Sequence, residues 1–185
     1  MEIHLRLGRD CAPQERQDVG ALMAMAFGRE AQPDLPAHRL TWTPPDPNSD
    51  WWLQVHEADR LVSFLLIIRR TILVNGDPTP VAGVRGLATH PDYRRRGYGS
   101  VAMQRATEFV WQELRPQLAL LLSSEMAVPF YRKLGWQVLT GPVFCEQPGR
   151  TANYTEEFPQ CPAMVVMPDG SPAPSGPVDL CGLPW

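Results

Sequence analysis

The chain has 185 residues, 44% of them hydrophobic and 20% charged, with a formal charge of −3. That is the balance of a globular protein with enough chain to bury a full core without a metal or disulfide staple. Sixteen of the 17 basic residues are arginine, set against 20 acidic ones, so no general basic field is present and nucleic acid is not an expected partner. Four scattered cysteines without a C-x-x-C pair, and four histidines apart from them, give no expectation of a metal site. The apolar runs at 61–68 and 118–122 are far shorter than the ~20 residues of a membrane helix. The first nine residues lack the basic-then-apolar pattern of a secretory signal, so the expectation is a cytoplasmic protein with no membrane partner.

In chain order, Val19, Leu22, Met23, Ala26 and Phe27 recur at spacings of three and four and predict a helix over Glu15–Phe27 with one apolar face. Prolines 33, 36, 44, 45 and 47 then forbid regular structure and predict a long loop over 33–47. Trp51–Val55 and Arg60–Arg70 read as two strands joined at Glu57-Ala58-Asp59, and Asn75-Gly76-Asp77 is a strong hairpin signal before a further strand at Val81–Thr89. Gly83 and Gly86 interrupt that strand where a bulge or a close backbone approach needs them. Val101, Met103, Ala106, Phe109, Val110 and Leu114 predict a helix ending near Pro116, and Leu118–Leu122 a buried parallel strand. Together these make a β-loop-α-β unit. A short helix over Ala127–Leu134 stopped by Gly135, and strands at Trp136–Leu139 and Met164–Met167, complete the prediction. The tail from 168 to 185 is proline-rich and is expected as ordered loop. The whole, residues 1–185, is read as one domain.

The chemistry concentrates at Tyr93-Arg94-Arg95-Arg96-Gly97-Tyr98-Gly99-Ser100, between a strand and a helix. Glycines there allow tight turning, the first helical N–H groups lack intrahelical partners, and the helix dipole adds positive charge, so the loop suits a phosphate. No lysine follows the glycines, which speaks against a nucleotide-hydrolysing P-loop. A solvated, arginine-rich turn is the plainer alternative.

Arg94, Gly97 and Gly99 after Thr89-His90-Pro91 form an R-x-x-G-x-G pattern that resembles the acetyl-coenzyme A loop of GNAT-superfamily N-acetyltransferases, and Pro129-Phe130-Tyr131-Arg132-Lys133-Leu134-Gly135-Trp136 resembles that superfamily's later aromatic signature. Within it, Arg16-Gln17-Asp18, Leu122-Ser123-Ser124, Gly135-Trp136, Gly141-Pro142 and Trp185 are most similar to the aminoglycoside 2'-N-acetyltransferase family. The resemblance implies a mixed α/β (α+β) fold with a mostly antiparallel twisted sheet, a central β-loop-α-β unit that binds acetyl-CoA, and flanking helices. It implies that the amides of Arg95–Ser100, with Arg94, hold the pyrophosphate, and that Leu87, Ala88 and Thr89 pair with the pantetheine arm. It places Ser124 at a polar pantetheine contact, for which a helix cap is the alternative. Tyr131 is implied as the acid that protonates the thiolate, and Leu87 N–H as the donor to the thioester carbonyl.

Two positions depart from that family. Arg85 stands where it carries a Glu, and Leu183 where it carries an acidic residue. Arg85 is expected either to bind an acidic substrate or to pair with a nearby carboxylate, with a strand arginine whose head lies in solvent as the alternative. Glu125, His90 and Glu146 are candidate bases, with a water chain as the alternative. Trp42, Trp51, Trp52, Trp185, Asp46, Asp50 and Asp179 are expected around the acceptor, and the Trp185 carboxylate is expected to face it. The expected partner is a small-molecule amine, and the sequence is compatible with a homodimer. The expected activity is N-acetyl transfer to a primary amine. An acyl-CoA-binding module with little catalysis, and a peptide or protein N-acetyltransferase, are the alternatives.

Overall fold

The computed structural model describes residues 1–28 and 41–185. The prolines expected at 33 and 36, and the first part of the 33–47 loop, lie outside the described residues. Chain contacts divide the molecule into two compact units.

The first unit comprises residues 1–28, Pro45–Ile68 and Val84–Phe109. It contains strand β1 (Glu2–Leu7), helix α1 (Pro13–Phe27), strand β2 (Trp51–Glu57), the first nine residues of β3 (Arg60–Val74), the last six of β4 (Asp77–Thr89), and helix α2 (Tyr98–Phe109). β1 pairs antiparallel with β2, Leu5 opposite Leu53, and β2 antiparallel with β3, Leu53 opposite Leu65. Helix α1 begins two residues earlier than its periodicity suggests because Pro13 suits the first helical position, where its missing N–H is no loss. The Glu15 carboxylate accepts the Ala12 N–H at 2.6 Å and so closes that end. Its apolar stripe of Val19, Leu22 and Ala26 is buried against Trp52, Phe64, Leu66 and Ala88. Full burial of Leu22 stabilises the unit by roughly 2–3 kcal/mol. The residue next to Trp52 serves another helix: the Trp51 ring meets Phe109 of α2 at 5.6 Å, as strand alternation requires. Two polar side chains are sealed in these strands. Ser63 Oγ donates to the Ala88 carbonyl at 2.8 Å, and Gln54 lies between Cys11 Sγ at 3.4 Å and His56 Nε2 at 3.1 Å.

The second unit comprises residues 41–44, Arg69–Gly83 and Val110–Trp185. It holds the remainders of β3 and β4, which turn at Asn75 (φ +55°) and Gly76 (φ +88°), the paired left-handed residues of a tight hairpin. It also holds strands β5 (Leu118–Leu122), β6 (Gln137–Val138), β7 (Val143–Gln147), β8 (Arg150–Asn153), β9 (Ala163–Val166) and β10 (Val178–Asp179), with the short helices α3 (Val128–Arg132) and α4 (Tyr154–Glu157). Within it the strand order is β6-β9-β5-β4-β3-β10-β7-β8. The expected parallel pairing is present, with Val81–Gly83 of β4 alongside Leu118–Leu120 of β5. The segment after α2 closes with π-type geometry over Val110–Leu114, the Arg115 N–H donating five residues back to Val110 O at 2.9 Å, and Pro116 stops it. Five elements have no counterpart in the sequence reading: β1, β7, β8, α4 and β10. The proline-rich tail is ordered without helix, as expected, and β10 lies between β3 and β7. Cys11, Cys145 and Cys161 are buried and Cys181 is exposed, all as free thiols.

Candidate functional site

In the first unit, β4 ends at Thr89 and a 3-10 turn at Pro91–Tyr93 leads into the arginine loop. Arg95 has φ +62° and Gly97 φ +89°. Left-handed backbone at Gly97 is free, but an L-residue such as Arg95 adopts it at a cost of about 1–2 kcal/mol. Such alternation turns successive N–H groups toward one concave side, the arrangement that collects an anion. The first i to i−4 bond of α2 runs from Val101 N–H to Gly97 O at 3.0 Å, so the N–H groups of Tyr98, Gly99 and Ser100 have no acceptor within the helix. The three arginines are exposed and differ in what they touch. Arg94 Nε donates to Thr89 O at 3.3 Å, and Arg96 lies over the Tyr93 ring at 5.1 Å. Arg95 has no recorded partner among the described residues. An open turn of unpaired N–H donors, backed by a helix N-terminus and a free guanidinium, fits a pyrophosphate.

Just before this turn, Gly86 has φ +63°, and a Cβ there would lie 2.9 Å from Met23 Cε. Beyond it, His90 N–H donates to Val62 O at 2.9 Å. Alternation points the backbone groups of His90 and Ala88 at β3, which turns those of Leu87 and Thr89 to the opposite edge. Leu87 N–H therefore faces away from β3. Arg85 is half-buried on β4. Asp50 is 5% exposed. Burial pushes the Asp50 carboxyl up, while the Asp46 N–H, at 2.8 Å from its Oδ2, and the charge of Arg85 pull it down. Arg85 and Asp50 thus lie within electrostatic reach of each other in the first unit. Asp46 is exposed, and its carboxyl is held low by Asn48 N–H at 3.0 Å and by the Ser49 hydroxyl at 2.8 Å.

Among the base candidates, both ring nitrogens of His90 face donors, Arg60 at 2.8 Å on Nε2 and Asp92 N–H at 3.3 Å on Nδ1. An uncharged imidazole offers one lone pair, and Arg60 has the shorter claim on it. Glu125 and Glu146 are exposed, both in the second unit.

The second unit carries Tyr131 on α3, half-buried, with its ring 5.0 Å from Phe130 and 6.2 Å from Trp136. Its backbone carbonyl accepts Leu134 N–H at 2.9 Å and Trp136 N–H at 3.1 Å. The left-handed Gly135 that permits this turn is the stop read from sequence. Burial pushes the Tyr131 hydroxyl up to about 12, so it remains a protonated donor at neutral pH. Ser124 stands at the N-cap of a single 3-10 turn, its carbonyl accepting the Ala127 N–H at 3.0 Å, and makes no side-chain cap bond. Trp185 is buried and stacks on Arg70 at 4.9 Å. Arg70 also donates to Leu183 O at 2.7 Å and to Thr43 Oγ1 at 3.0 Å. The Trp185 indole is thus part of the interior and not an open aromatic surface. Trp42 is half-buried in the same unit.

The loop residues, Leu87, Ala88, Thr89, Arg85, Asp46 and Asp50 thus belong to the first unit, and Ser124, Tyr131, Trp42 and Trp185 to the second. Three residues to which the sequence reading gave no role stand out: Tyr93, Arg60 and Arg70. Tyr93 was legible as the residue opening the arginine run. Arg60 and Arg70 lie in strands, and nothing local marks them.

Residues 9–139 match the family model described as acetyltransferase (GNAT) domain. Among solved structures, the chain is similar to ElaA of Escherichia coli, with 13% identity, a TM-score of 0.63, and coverage of 89% of this chain and 97% of that one. It is similar to an acyl-CoA N-acyltransferase of Pseudomonas aeruginosa, with 14% identity, a TM-score of 0.61 and coverage of 89% and 97%. A third is the GNAT family N-acetyltransferase YhbS of Escherichia coli in complex with CoA, with 15% identity, a TM-score of 0.60 and coverage of 97% and 89%. At these identities the structural likeness speaks for the fold.

Proposed function

The chain belongs to the GNAT acetyltransferase-domain family, and from that premise we propose that it transfers an acetyl group from acetyl-CoA to a primary amine of a small molecule. Family membership makes it an acetyl-CoA-dependent acyltransferase; the acceptor class and the residue roles are our reading. One observation carries it: the left-handed pair Arg95 and Gly97 ahead of three helix N–H groups without intrahelical acceptors.

Acetyl-CoA, when bound, supplies the acyl group as an activated thioester. The N–H groups of Arg95 to Ser100 hold its pyrophosphate, with the Arg95 guanidinium adding a charge-assisted bond, and Ala88, Thr89 and Ser124 hold the pantetheine arm. Leu87 N–H, aimed away from β3, donates to the carbonyl oxygen on which negative charge develops, the kind of preorganised donor worth 10²–10³ in rate. Tyr131 donates its proton toward the departing sulfur. Burial keeps that hydroxyl protonated at neutral pH, and the proton the amine gives up as the C–N bond forms and the C–S bond breaks returns to it.

On the acceptor side, the resemblance points to aminoglycosides, and Arg85 is the reason to widen the class. A fixed cation where that family carries a carboxylate disfavours a polycationic sugar and favours an amine with one or two charges, or one that also carries a carboxylate. Asp50 is sealed within reach of the Arg85 charge, so the exposed Asp46 is the carboxylate of that unit assigned to the acceptor. Thiol release from acetyl-CoA, screened against polyamines, aminoglycosides, amino acids and peptides, tests this. Turnover is expected with a small primary amine. CoA binding with no release above hydrolysis on any small amine refutes the proposal.

A further inference from the structure

Tyr93 sits where several unrelated contacts converge. It closes the 3-10 turn before the arginine loop, its N–H donating to His90 O at 2.9 Å. Its ring carries two guanidiniums, Arg60 at 5.4 Å and Arg96 at 5.1 Å. Two further rings meet it edge-on, His90 at 5.6 Å and Tyr98 at 5.9 Å. Two of these partners are fixed from elsewhere: Arg60 by His90 Nε2, and Tyr98 by its hydroxyl, which donates to the Glu57 carboxylate at the end of β2. The residues so tied come from the end of β2, the start of β3, the position just after β4, the loop and the first position of α2. None of them needs a ligand to hold this arrangement.

The electrostatics explain what such a hub accomplishes. Arg94, Arg95 and Arg96 are adjacent, exposed cations that repel one another, and each free guanidinium side chain has about 2 kcal/mol of rotamer entropy to lose on capture of an anion. A ring that already holds Arg96 by cation–π attraction removes part of that loss and takes its charge out of competition with Arg95.

We infer that Tyr93, acting with Arg60, is a positioning residue for acetyl-CoA: it sets Arg96 and the start of α2 in the binding arrangement before the ligand arrives. The inference rests on acetyl-CoA being the ligand of this turn. Its signature is a change in affinity without a change in chemistry, and it depends on the aromatic face and not on the hydroxyl.

The test is calorimetry with CoA, together with steady-state kinetics, on Tyr93→Leu, Tyr93→Phe, Arg60→Met and the double variant Tyr93→Leu/Arg60→Met. Tyr93→Leu is expected to raise Kd for CoA and KM for acetyl-CoA about tenfold, as loss of two cation–π contacts would, with kcat within about twofold. Tyr93→Phe keeps the ring and stays near wild type. Arg60→Met weakens CoA about threefold in the wild-type background and has little further effect once the ring is gone, because the two act as one unit. The proposal is overturned if Tyr93→Phe is as poor as Tyr93→Leu, if Tyr93→Leu binds CoA normally, or if the loss falls on kcat. Should Tyr93→Leu fail to fold, Tyr93→Phe and Arg60→Met decide it: normal Kd in both overturns it. Absence of heat from wild-type protein with CoA strikes instead at the acetyl-CoA premise, so the two failures are distinguishable.

Discussion

Gly86→Ala puts the backbone argument for Leu87 at risk. Gly86 has φ +63°, a conformation that costs an L-residue about 1–2 kcal/mol. The new Cβ would also lie 2.9 Å from Met23 Cε, the far end of a flexible side chain on α1; moving that end off its rotamer adds about 0.5–1 kcal/mol. The sum is roughly 2 kcal/mol, which for a chain of this length lowers Tm by about 4–8 °C. Gly76 supplies the internal control, because it too has positive φ, +88°, but nothing within 4 Å of an added Cβ. Gly76→Ala should therefore show the conformational part alone, near 1 kcal/mol, and leave turnover intact. Met23→Ala in the Gly86→Ala background should recover the steric part. If the backbone relaxes out of the left-handed region, Leu87 N–H turns, and kcat/KM should fall about 10²-fold. Urea midpoints for the four proteins, and kcat/KM for wild type, Gly86→Ala and Gly76→Ala, are the measurements. A Gly86→Ala protein as stable as wild type would refute the strain argument. One that is destabilised yet shows normal kcat/KM in repeated assays would remove Leu87 N–H from the chemistry.

Other expectations follow from the same structure. Tyr131→Phe should lower kcat by about 10²-fold with little change in KM for acetyl-CoA, and an unchanged kcat would take Tyr131 out of proton transfer. The pKa of His56 is lowered, mainly by burial and then by His4, whose ring is 5.0 Å away. Its neutral form belongs to the folded state, so its contribution to stability is present above the unfolded value near 6.5 and is lost as pH falls from there through the lower folded value. Urea midpoints from pH 8 to 5 should drop more for wild type than for His56→Gln, and parallel curves would contradict this. Arg70→Ala strands the Leu183 carbonyl and uncovers the Trp185 ring; a loss of about 2–4 kcal/mol is expected in chemical denaturation, and a loss below 0.5 kcal/mol, allowing for ordinary error, would show the contacts to be idle.

The parts of the fold that declare themselves in sequence are those with local causes. Asn75-Gly76 makes a hairpin because both residues tolerate left-handed backbone. The stripe of α1 and the run Leu118–Leu122 place themselves by what they must bury. Tyr131 was singled out by resemblance to a family signature, and only the helix stop beside it at Gly135 has a local cause. What stayed hidden has distant causes. β10 is two residues between prolines, and Val178 and Asp179 become a strand only because β3 and β7 offer an edge on either side. β1 carries Glu2, His4 and Arg6 on alternate positions, a half-exposed pattern that is weak without its partner. Trp185 reads as an exposed terminal aromatic until Arg70, more than a hundred residues away, is seen beneath it. Arg85 was recognised as an anomaly, but its neighbour Asp50 precedes another strand, and no spacing rule connects the two.

The cysteine distribution bears on any assay that counts liberated thiols. Burial raises the pKa of Cys11, Cys145 and Cys161, so these three sulfurs are both hidden and poorly nucleophilic, whereas Cys181 is in contact with water. An aromatic disulfide reagent added to the folded protein should consume one sulfur per chain in a brief initial phase, and a steady colour slope above that step belongs to substrate. The same cuvette reports denaturation without a label: as the chain opens, the stoichiometry climbs from one toward four.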